Sequence, residues 1–431
     1  MKILFVHPCQ GRNEKNKPSL TDKLFLHVPS TLPQLAALTP ENHKIDIVDE
    51  SHYHKINFEK KYDLVAITCM TMHVMRAYKI SERFRQKGIP VVLGGYHPSA
   101  LPEEAKKYSD SVVIGEAEIS WPKLLNDFEN NNLQPFYRQE TFVDPKLIPP
   151  VKRDTLQGYY PLGVQASRGC PFRCDYCSIQ NVEGHQFRKR PIENVIDEIK
   201  NMKTNYFAFT DPSLTVDLDF TKTLFKELKK LKKRFDCHGN INILNDNEDL
   251  IKLSKDAGCQ AWYIGFESIS KESLESVHKT NNPEIYPEGI KKIRKYGISV
   301  NGLFMFGFDG DKLDIFNKTL KAIKEWKIDI ASFAILTPFP GTPVYKRFEE
   351  EGRILTKDWS KYYFNNIVFN PKNMTKEELF NKTRELTKQF YSLSSTFNRT
   401  FDTHHLSFSN LLNKFKHNLV DRHLVKKEFN F

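Results

Sequence analysis

The chain has 431 residues, enough for two or three domains. Hydrophobic residues make up 39% and aromatic residues 12%, which supplies a core and excludes a chain disordered throughout. The net charge is +11; a Lys-rich solvated surface accounts for it, and an anionic substrate, a membrane surface or nucleic acid would also be attracted, so charge alone does not choose. No apolar run approaches the ~20 residues that span a bilayer. The start, Met1-Lys2-Ile3-Leu4-Phe5-Val6-His7-Pro8, reads as a strand without the apolar region and cleavage site of a signal peptide. A cytoplasmic location is therefore expected. Seven cysteines in this length are no disulfide scaffold, and three of them crowd into eight positions, which points to metal in a reducing compartment.

Residues 1–130 alternate strand and helix signals. Strands are predicted at 2–6, 44–48, 64–68, 91–93 and 111–114, with a helix over 74–86 closed by Gly88 and Pro90. That order predicts a parallel, doubly wound sheet with ligands at the carboxyl ends of its strands, where Thr68-Cys69-Met70-Thr71 and Gly94-Gly95-Tyr96-His97-Pro98 fall. Residues 131–162 are rich in Asn and Pro and read as a linker. A second alternating region, 163–350, carries strand signals at 164–167, 206–210, 237–243, 261–266, 299–306 and 332–336, with helices such as 220–235 and 287–296 between them. Six such units suggest a complete or incomplete barrel, whose chemistry would sit at the strands' carboxyl ends. Residues 351–431 read as helices.

The densest chemical signal follows the first strand of the second region: Cys170-Pro171-Phe172-Arg173-Cys174-Asp175-Tyr176-Cys177. Three thiolates can hold three irons of a 4Fe–4S cluster, whereas electron-transfer clusters use four. The fourth iron would then be open to a substrate or cofactor. Cys9, Cys69, Cys237 and Cys259 are the other candidates for a fourth ligand. Zinc is the alternative metal, but no His and no second Cys pair stand at zinc spacing.

The run Ser167-Arg168-Gly169-Cys170 through Cys177 resembles the radical S-adenosylmethionine superfamily, whose pattern is C-x3-C-x2-C with an aromatic residue, here Tyr176, before the last Cys. The resemblance implies a 4Fe–4S cluster on Cys170, Cys174 and Cys177, with S-adenosylmethionine on the open iron. It also implies reductive cleavage to a 5′-deoxyadenosyl radical that attacks an unactivated carbon. The protein's share would be to bind, orient and shield. Further segments match in order. Thr210-Asp211-Pro212-Ser213 resembles the site of the methionyl amino group, implicating Asp211 and Ser213. Gly265-Phe266-Glu267-Ser268 resembles the segment near the ribose and methionyl part, implicating Glu267. Gly302 and Phe304, then Leu336 and Thr337, lie in segments resembling those that flank adenine. Taken singly, these residues read equally as loop carboxylates, helix caps or turn glycines.

A doubly wound domain ahead of such a barrel resembles the cobalamin-binding radical enzymes. On that resemblance Thr68, Met70, Gly94 and Gly95 are candidate cobalamin contacts, and Gly115-Glu116-Ala117-Glu118 matches the family's fifth-strand loop. The Asp-x-His-x-x-Gly motif that gives cobalt a histidine is absent; His7, His73 and His97 lie near strand ends and are candidate substitutes, although a lone His is more often hydrogen-bonded structure. The expected fold class is α/β: an N-terminal Rossmann-like domain of cobalamin-binding type, a partial (β/α)6 radical barrel, then a helical region.

Two chemistries remain open: methylation or another radical alkylation or cyclisation with cobalamin, or a decayed cobalamin pocket that only shapes the substrate site. A transfer-RNA methylthiotransferase has a similar layout but carries three N-terminal cysteines, and here only Cys9 and Cys69 precede the linker. A non-enzymatic cluster or corrinoid carrier would not need the S-adenosylmethionine segments. The expected partners are a small-molecule or lipid substrate and an external electron donor such as ferredoxin or flavodoxin, with no nucleic acid. Near the C-terminus, Phe408, Leu411, Leu412, Phe415 and Leu419 recur at helical spacing beside Lys414, Lys416, Arg422, Lys426 and Lys427. They read as a helix packed on the barrel or as a basic amphipathic helix in peripheral contact with a membrane.

Overall fold

The computed structural model describes residues 1–9, 30–52, 54–153, 162–401, 418–419 and 422–423. Its first sheet has six parallel strands: β1 (Lys2–His7), β2 (Lys44–Asp49), β3 (Leu64–Thr68), β4 (Val91–Gly94), β5 (Ser111–Ile114) and β6 (Phe136–Arg138). Their order is β2–β1–β3–β4–β5–β6, so the winding reverses beside β1 and opens a crevice at the carboxyl ends there. Both faces are covered, which is why the inner strands carry unbroken apolar runs at residues 3–6, 64–67 and 91–93. Leu4, Val65, Ile67 and Leu93 pack with Val74, Ala77 and Phe84 of the helix Val74–Arg85. Ile3, Phe5, Ala66 and Val92 pack with Leu32, Trp121 and Leu124 of the helices Thr31–Leu38 and Ala117–Glu129.

The strand β6 lies inside the stretch read as linker. Phe136 and Tyr137 pair with Val112 and Val113, extending the sheet by one strand that is too short to give a periodic signal.

The second sheet is also parallel: β7 (Leu162–Val164), β10 (Tyr206–Phe209), β11 (Arg234–Gly239), β12 (Cys259–Glu267), β13 (Ser299–Phe306) and β14 (Ile330–Ile335). Its order, β14–β13–β12–β11–β10–β7, leaves β7 and β14 as edges, an incomplete barrel. Three local expectations are corrected. The strand expected at 164–167 is two: β7 in the sheet, and β8 (Ser167–Arg168), which pairs antiparallel with β9 (Arg188–Lys189) and brackets the cysteine run. The strand expected to reach 243 stops at Gly239, because the Asn240 side chain accepts from Asn242 N and caps a helix, Ile241–Asp246. The helix expected to reach 235 ends at Leu231, where Lys232 turns with φ 53° and frees Phe235 for β11.

Beyond Gly352 the chain is not helical at once. Residues 353–374 form a strap with one bridge, Ile354 to Phe369. Trp359, Tyr362 and Val368 of this strap join the core of the first sheet. Trp359 Nε1 donates to Glu104 at 2.9 Å, while Thr337 Oγ1, just past β14, donates to Tyr363 O at 3.3 Å. The strap thus ties the two sheets together. The helices Lys376–Phe390 and Leu393–Phe401 follow; a capping box of Thr375 and Glu378 starts the first of them. The amphipathic helix read near the C-terminus lies, except for Leu419 and Arg422, outside the described residues. Among the described residues no helix is long and apolar enough to cross a membrane.

Candidate active site

The cysteine run is pinned at both ends. Gly169 adopts φ +76°, and a Cβ there would lie 2.1 Å from Gln186 O, so only glycine makes this turn. Gly169 N donates to Glu183 Oε2 at 3.0 Å and Cys170 N to Gly184 O at 3.2 Å. Asp175 N donates to Val277 O, and Val344 N to Asp175 O. The loop is therefore clasped between β8–β9, the turn after Val277 and the helix Pro343–Glu350.

Cys174 is buried, and Cys170 and Cys177 are half-buried. Burial pushes all three thiols up, Cys177 to about 12, so thiolates form there only beside positive charge. One such charge is Lys279. Burial opposes its ammonium, yet Glu267 and the three thiols hold its pKa above the usual value. Its Nζ is 3.6 Å from Glu267 Oε1. Glu267 closes β12 with φ 62°, a conformation that costs a residue with a side chain on the order of 1 kcal/mol or more. Tyr176 is half-buried and packs against Phe308, ring centroids 6.0 Å apart, and its hydroxyl reaches the Cys174 thiol. Among the described residues, no three His, Cys, Asp or Glu side chains are placed to hold one metal ion.

The structure also places the other expected contacts. Asp211 is fully buried and accepts from Ala166 N at 3.1 Å, Ser167 N at 2.5 Å and Ser167 Oγ at 2.5 Å. Its oxygens accept from the strand that leads into the cysteine loop. Burial raises its pKa to about 6 against the pull of those donors. Ser213 Oγ pairs with Thr215 Oγ1 at 2.9 Å. Phe304 stacks in the core between Phe266 and Phe333, with centroids 5.4 and 6.0 Å away. Gly302 makes room for that stack, since a Cβ would lie 2.8 Å from the Phe304 ring. Leu336 is fully buried, and Thr337 is tied to Ile335 O and Tyr363 O. In this structure these five side chains are engaged in packing or loop anchoring.

The first sheet contributes a cavity of about 380 Å³. Its walls include His7, Thr68, Met70, Gly94, Gly95 and Gly115 at strand ends, an apolar side of Ile67, Val92, Val113 and Trp121, and Gln165, Arg168, Glu183 and Thr210 from the second region. The cavity therefore lies between the two sheets. A Cβ on Gly95 would meet Cys69 O at 2.8 Å, so β3 itself demands this glycine. Gly94 would meet only ordinary contact, with Val113 Cβ at 3.6 Å. At Gly115, φ +87°, a Cβ would meet nothing within 4 Å. This bare wall, which a side chain would fill, fits a large ligand such as a corrinoid.

A buried ion cluster joins the cavity to the cysteine loop. Arg168 Nη1 donates to Glu116 at 2.9 Å and Nη2 to Glu118 at 2.6 Å. Arg188 donates to Glu116 at 2.9 and 3.0 Å and to Val143 O at 2.7 Å. Arg168 is two residues before Cys170, so the end of β5 is hydrogen-bonded to the base of the cysteine loop. Reading the sequence finds Arg168, Glu116 and Glu118 only inside motifs, with no sign that they pair. It misses Lys279 and Glu183 altogether, since neither lies in a recognisable pattern.

A doubly wound sheet, an incomplete parallel barrel, a three-thiol loop and a cavity between them define a two-cofactor α/β enzyme. Family models match in the same places: the radical SAM superfamily over residues 164–323 and the B12 binding domain over residues 42–125. The chain is 36% identical over 353 residues to the bacteriochlorophyllide d C-8(2)-methyltransferase of Chlorobaculum tepidum, covering 76% of this chain and 77% of that protein. It is 29% identical to the bacteriochlorophyllide d C-12(1)-methyltransferase of the same organism, covering 88% and 86%. In fold it resembles the radical S-adenosylmethionine methyltransferase TsrM of Kitasatospora setae, solved with cobalamin and a [4Fe-4S] cluster, with a TM-score of 0.73 and 15% identity over 100% of this chain and 99% of that one. The chain belongs to the radical S-adenosylmethionine superfamily, in the branch that carries a B12-binding domain. It is a radical enzyme that uses a 4Fe–4S cluster and S-adenosylmethionine to make a 5′-deoxyadenosyl radical, with cobalamin as associated cofactor.

Proposed function

We propose that the protein methylates an unactivated carbon of an apolar, ring-bearing small molecule. The observation that carries this reading is the cavity, which runs from the strand ends of the first sheet to Arg168 and Glu183 at the base of the cysteine loop. Cys170, Cys174 and Cys177 would hold three irons. Glu267 and Lys279, 3.6 Å apart, would take the ammonium and the carboxylate of the methionyl group, the part that Asp211 is too buried to play. Thr68, Gly94, Gly95 and Gly115 would line the corrinoid's seat. When bound, the cluster supplies the electron that cleaves S-adenosylmethionine and the corrinoid supplies the methyl group. The chain's own residues keep both in one closed space, where water is excluded from a reactive radical.

The two Chlorobaculum relatives support a planar tetrapyrrole as the substrate class. Met70, in the cavity wall, and Phe364, beside the end of β14, are each 47% exposed and leave apolar surface for such a ring. An external one-electron donor completes the set of partners. The test is anaerobic turnover with methyl-deuterated S-adenosylmethionine, added cobalamin, a reductant and bacteriochlorophyllide d. A labelled methyl group in the product, with 5′-deoxyadenosine formed alongside it, is expected. Release of 5′-deoxyadenosine that neither needs corrinoid nor accompanies methyl transfer would replace this reading with a corrinoid-free radical reaction.

A further inference from the structure

Where the cavity passes from the first sheet to the cysteine loop, most polar side chains of its wall are already paired. Arg168 gives Nη1 and Nη2 to Glu116 and Glu118, and Nε to Gln165 Oε1 at 2.8 Å. Arg190 pairs with Glu198 at 2.8 Å. Thr210 Oγ1 donates to Val164 O at 3.3 Å. Two other side chains of this stretch of wall, Tyr96 and Glu183, keep hydrogen-bonding capacity in reserve.

Tyr96 starts the short helix Tyr96–Ala100 directly after Gly95. That helix packs against the turn Ser178–Asn181 behind Cys177, so the phenol stands between the two sheets. It is half-buried, and its hydroxyl makes no hydrogen bond among the described residues. Glu183 lies within electrostatic reach of that hydroxyl. Its Oε2 accepts from Gly169 N at 3.0 Å. Its Oε1 receives only a long contact from Gln165 Nε2, 3.5 Å, at the limit of a hydrogen bond. That oxygen can accept whether or not the carboxyl carries a proton, since a carboxylic acid keeps acceptor capacity. One spare donor beside one spare acceptor fits a group that accepts with one atom and donates with the next. A primary carboxamide is such a group, and the rim of a corrin ring carries several.

We propose that Tyr96 and Glu183 clamp one rim carboxamide of the bound corrinoid, the hydroxyl donating to its carbonyl and the carboxyl accepting from its N–H. This rests on the reading that the first domain seats a corrinoid. Glu183 also holds Gly169 N, next to Cys170, so the clamp fixes the corrin relative to the cysteine loop. The adenine edge of S-adenosylmethionine offers the same donor–acceptor pattern. The place of Tyr96, directly after Gly94 and Gly95 in the bare wall, favours the corrin.

The test is absorbance titration of the full-length, cluster-loaded protein with cobalamin and, separately, with cobinamide, which has the same rim without the nucleotide tail. S-adenosylmethionine affinity, measured by equilibrium dialysis, is the internal reference, because a general loosening of the joint would lower it too. Tyr96→Phe deletes the donor and keeps the ring. Glu183→Gln keeps an oxygen for Gly169 N and turns a donor toward the amide. Each should weaken both corrinoids by about 3–10-fold relative to S-adenosylmethionine. The double variant should lose less than the product of the two, because both side chains grip one group. Losses under about twofold, or losses that simply multiply, overturn the clamp. A loss with cobalamin but not cobinamide moves the contact to the nucleotide tail, and a loss confined to S-adenosylmethionine moves it to adenine; either overturns the proposal. No corrinoid bound by the native protein overturns the seat itself, and the clamp with it.

Discussion

At the ends of β4 and β5 the chain offers Gly94, Gly95 and Gly115; at the end of β12 it offers Glu267, with Lys279 and three thiols beside it. Both sheets are parallel and both turn their carboxyl ends toward the same space, yet one end is bare and the other crowded with charge. The bare end can hold a ligand only by shape and a few directed groups. The crowded end holds one by ligation and ion pairing, and it must keep its charges balanced before anything binds. The two ends are joined by Arg168, which touches Glu116 and Glu118 on one side and leads into the cysteine loop on the other.

The largest expected effect separates the two ends. Cys174→Ala removes a thiol from the crowded end and should abolish iron binding and S-adenosylmethionine cleavage. Corrinoid retention, read by absorbance, should be near native, because the first sheet keeps its own core. Loss of both cofactors together would show that the ends are one folding unit and would break the comparison.

Next comes the joint. Arg168→Ala leaves Glu116 and Glu118 facing fewer cations in a site where their side chains are 2% and 3% exposed. Breaking a buried ion pair from one side costs about 3–5 kcal/mol, and denaturant unfolding of the native and variant chains should differ by that much. A difference below about 1 kcal/mol would mean that water already enters the joint.

Most of the crowded end was legible in the sequence, and most of the joint was not. The three cysteines and Tyr176 lie within eight consecutive positions, so their spacing survives any folding. Glu267 was legible as a candidate because it sits at a strand end inside a local motif. Asp211 was legible as a candidate because its motif is local, whereas its hydrogen-bond partners Ala166 and Ser167, 45 and 44 residues away, were not. Lys279 and Glu183 gave no signal, because what marks them is proximity to the thiols and to Gly169. The two alternating α/β regions followed from the strand and helix periodicity, whereas their strand orders came only from the structure. The strap did not, because Trp359 and Tyr362 owe their place to a core more than 200 residues back, at Glu104 and its neighbours.

Asp211 also gives a pH test with an unusual sign. Its folded pKa, about 6, lies above the unassisted value of 3.8. Between those values the folded chain binds more proton than the unfolded one, so this group's contribution to stability falls as pH rises through that window, by roughly 3 kcal/mol at most. Asp211→Asn removes the slope. The stability of the native chain relative to the variant should therefore be greatest below about pH 4 and level off above about pH 6. A difference that grows with pH would mean the carboxylate is held ionised, as in an ordinary ion pair.

The smallest effect concerns the bare end and decides whether it is bare for the ligand or for the fold. Gly95→Ala and Gly115→Ala both place a side chain at positive φ, +99° and +87°, which costs about 1–2 kcal/mol each. They differ in what the new methyl meets. At Gly95 it meets Cys69 O at 2.8 Å and Thr68 Oγ1 at 2.9 Å, so β3 and β4 must part. At Gly115 it meets nothing within 4 Å and stands in the cavity wall. If the wall is shaped for a corrinoid, Gly95→Ala should lower thermal stability more, whereas Gly115→Ala should lower corrinoid affinity more for each unit of stability lost. Equal losses in both measurements would mean that Gly115 serves only the turn after β5, and that the ligand lies elsewhere along the cavity.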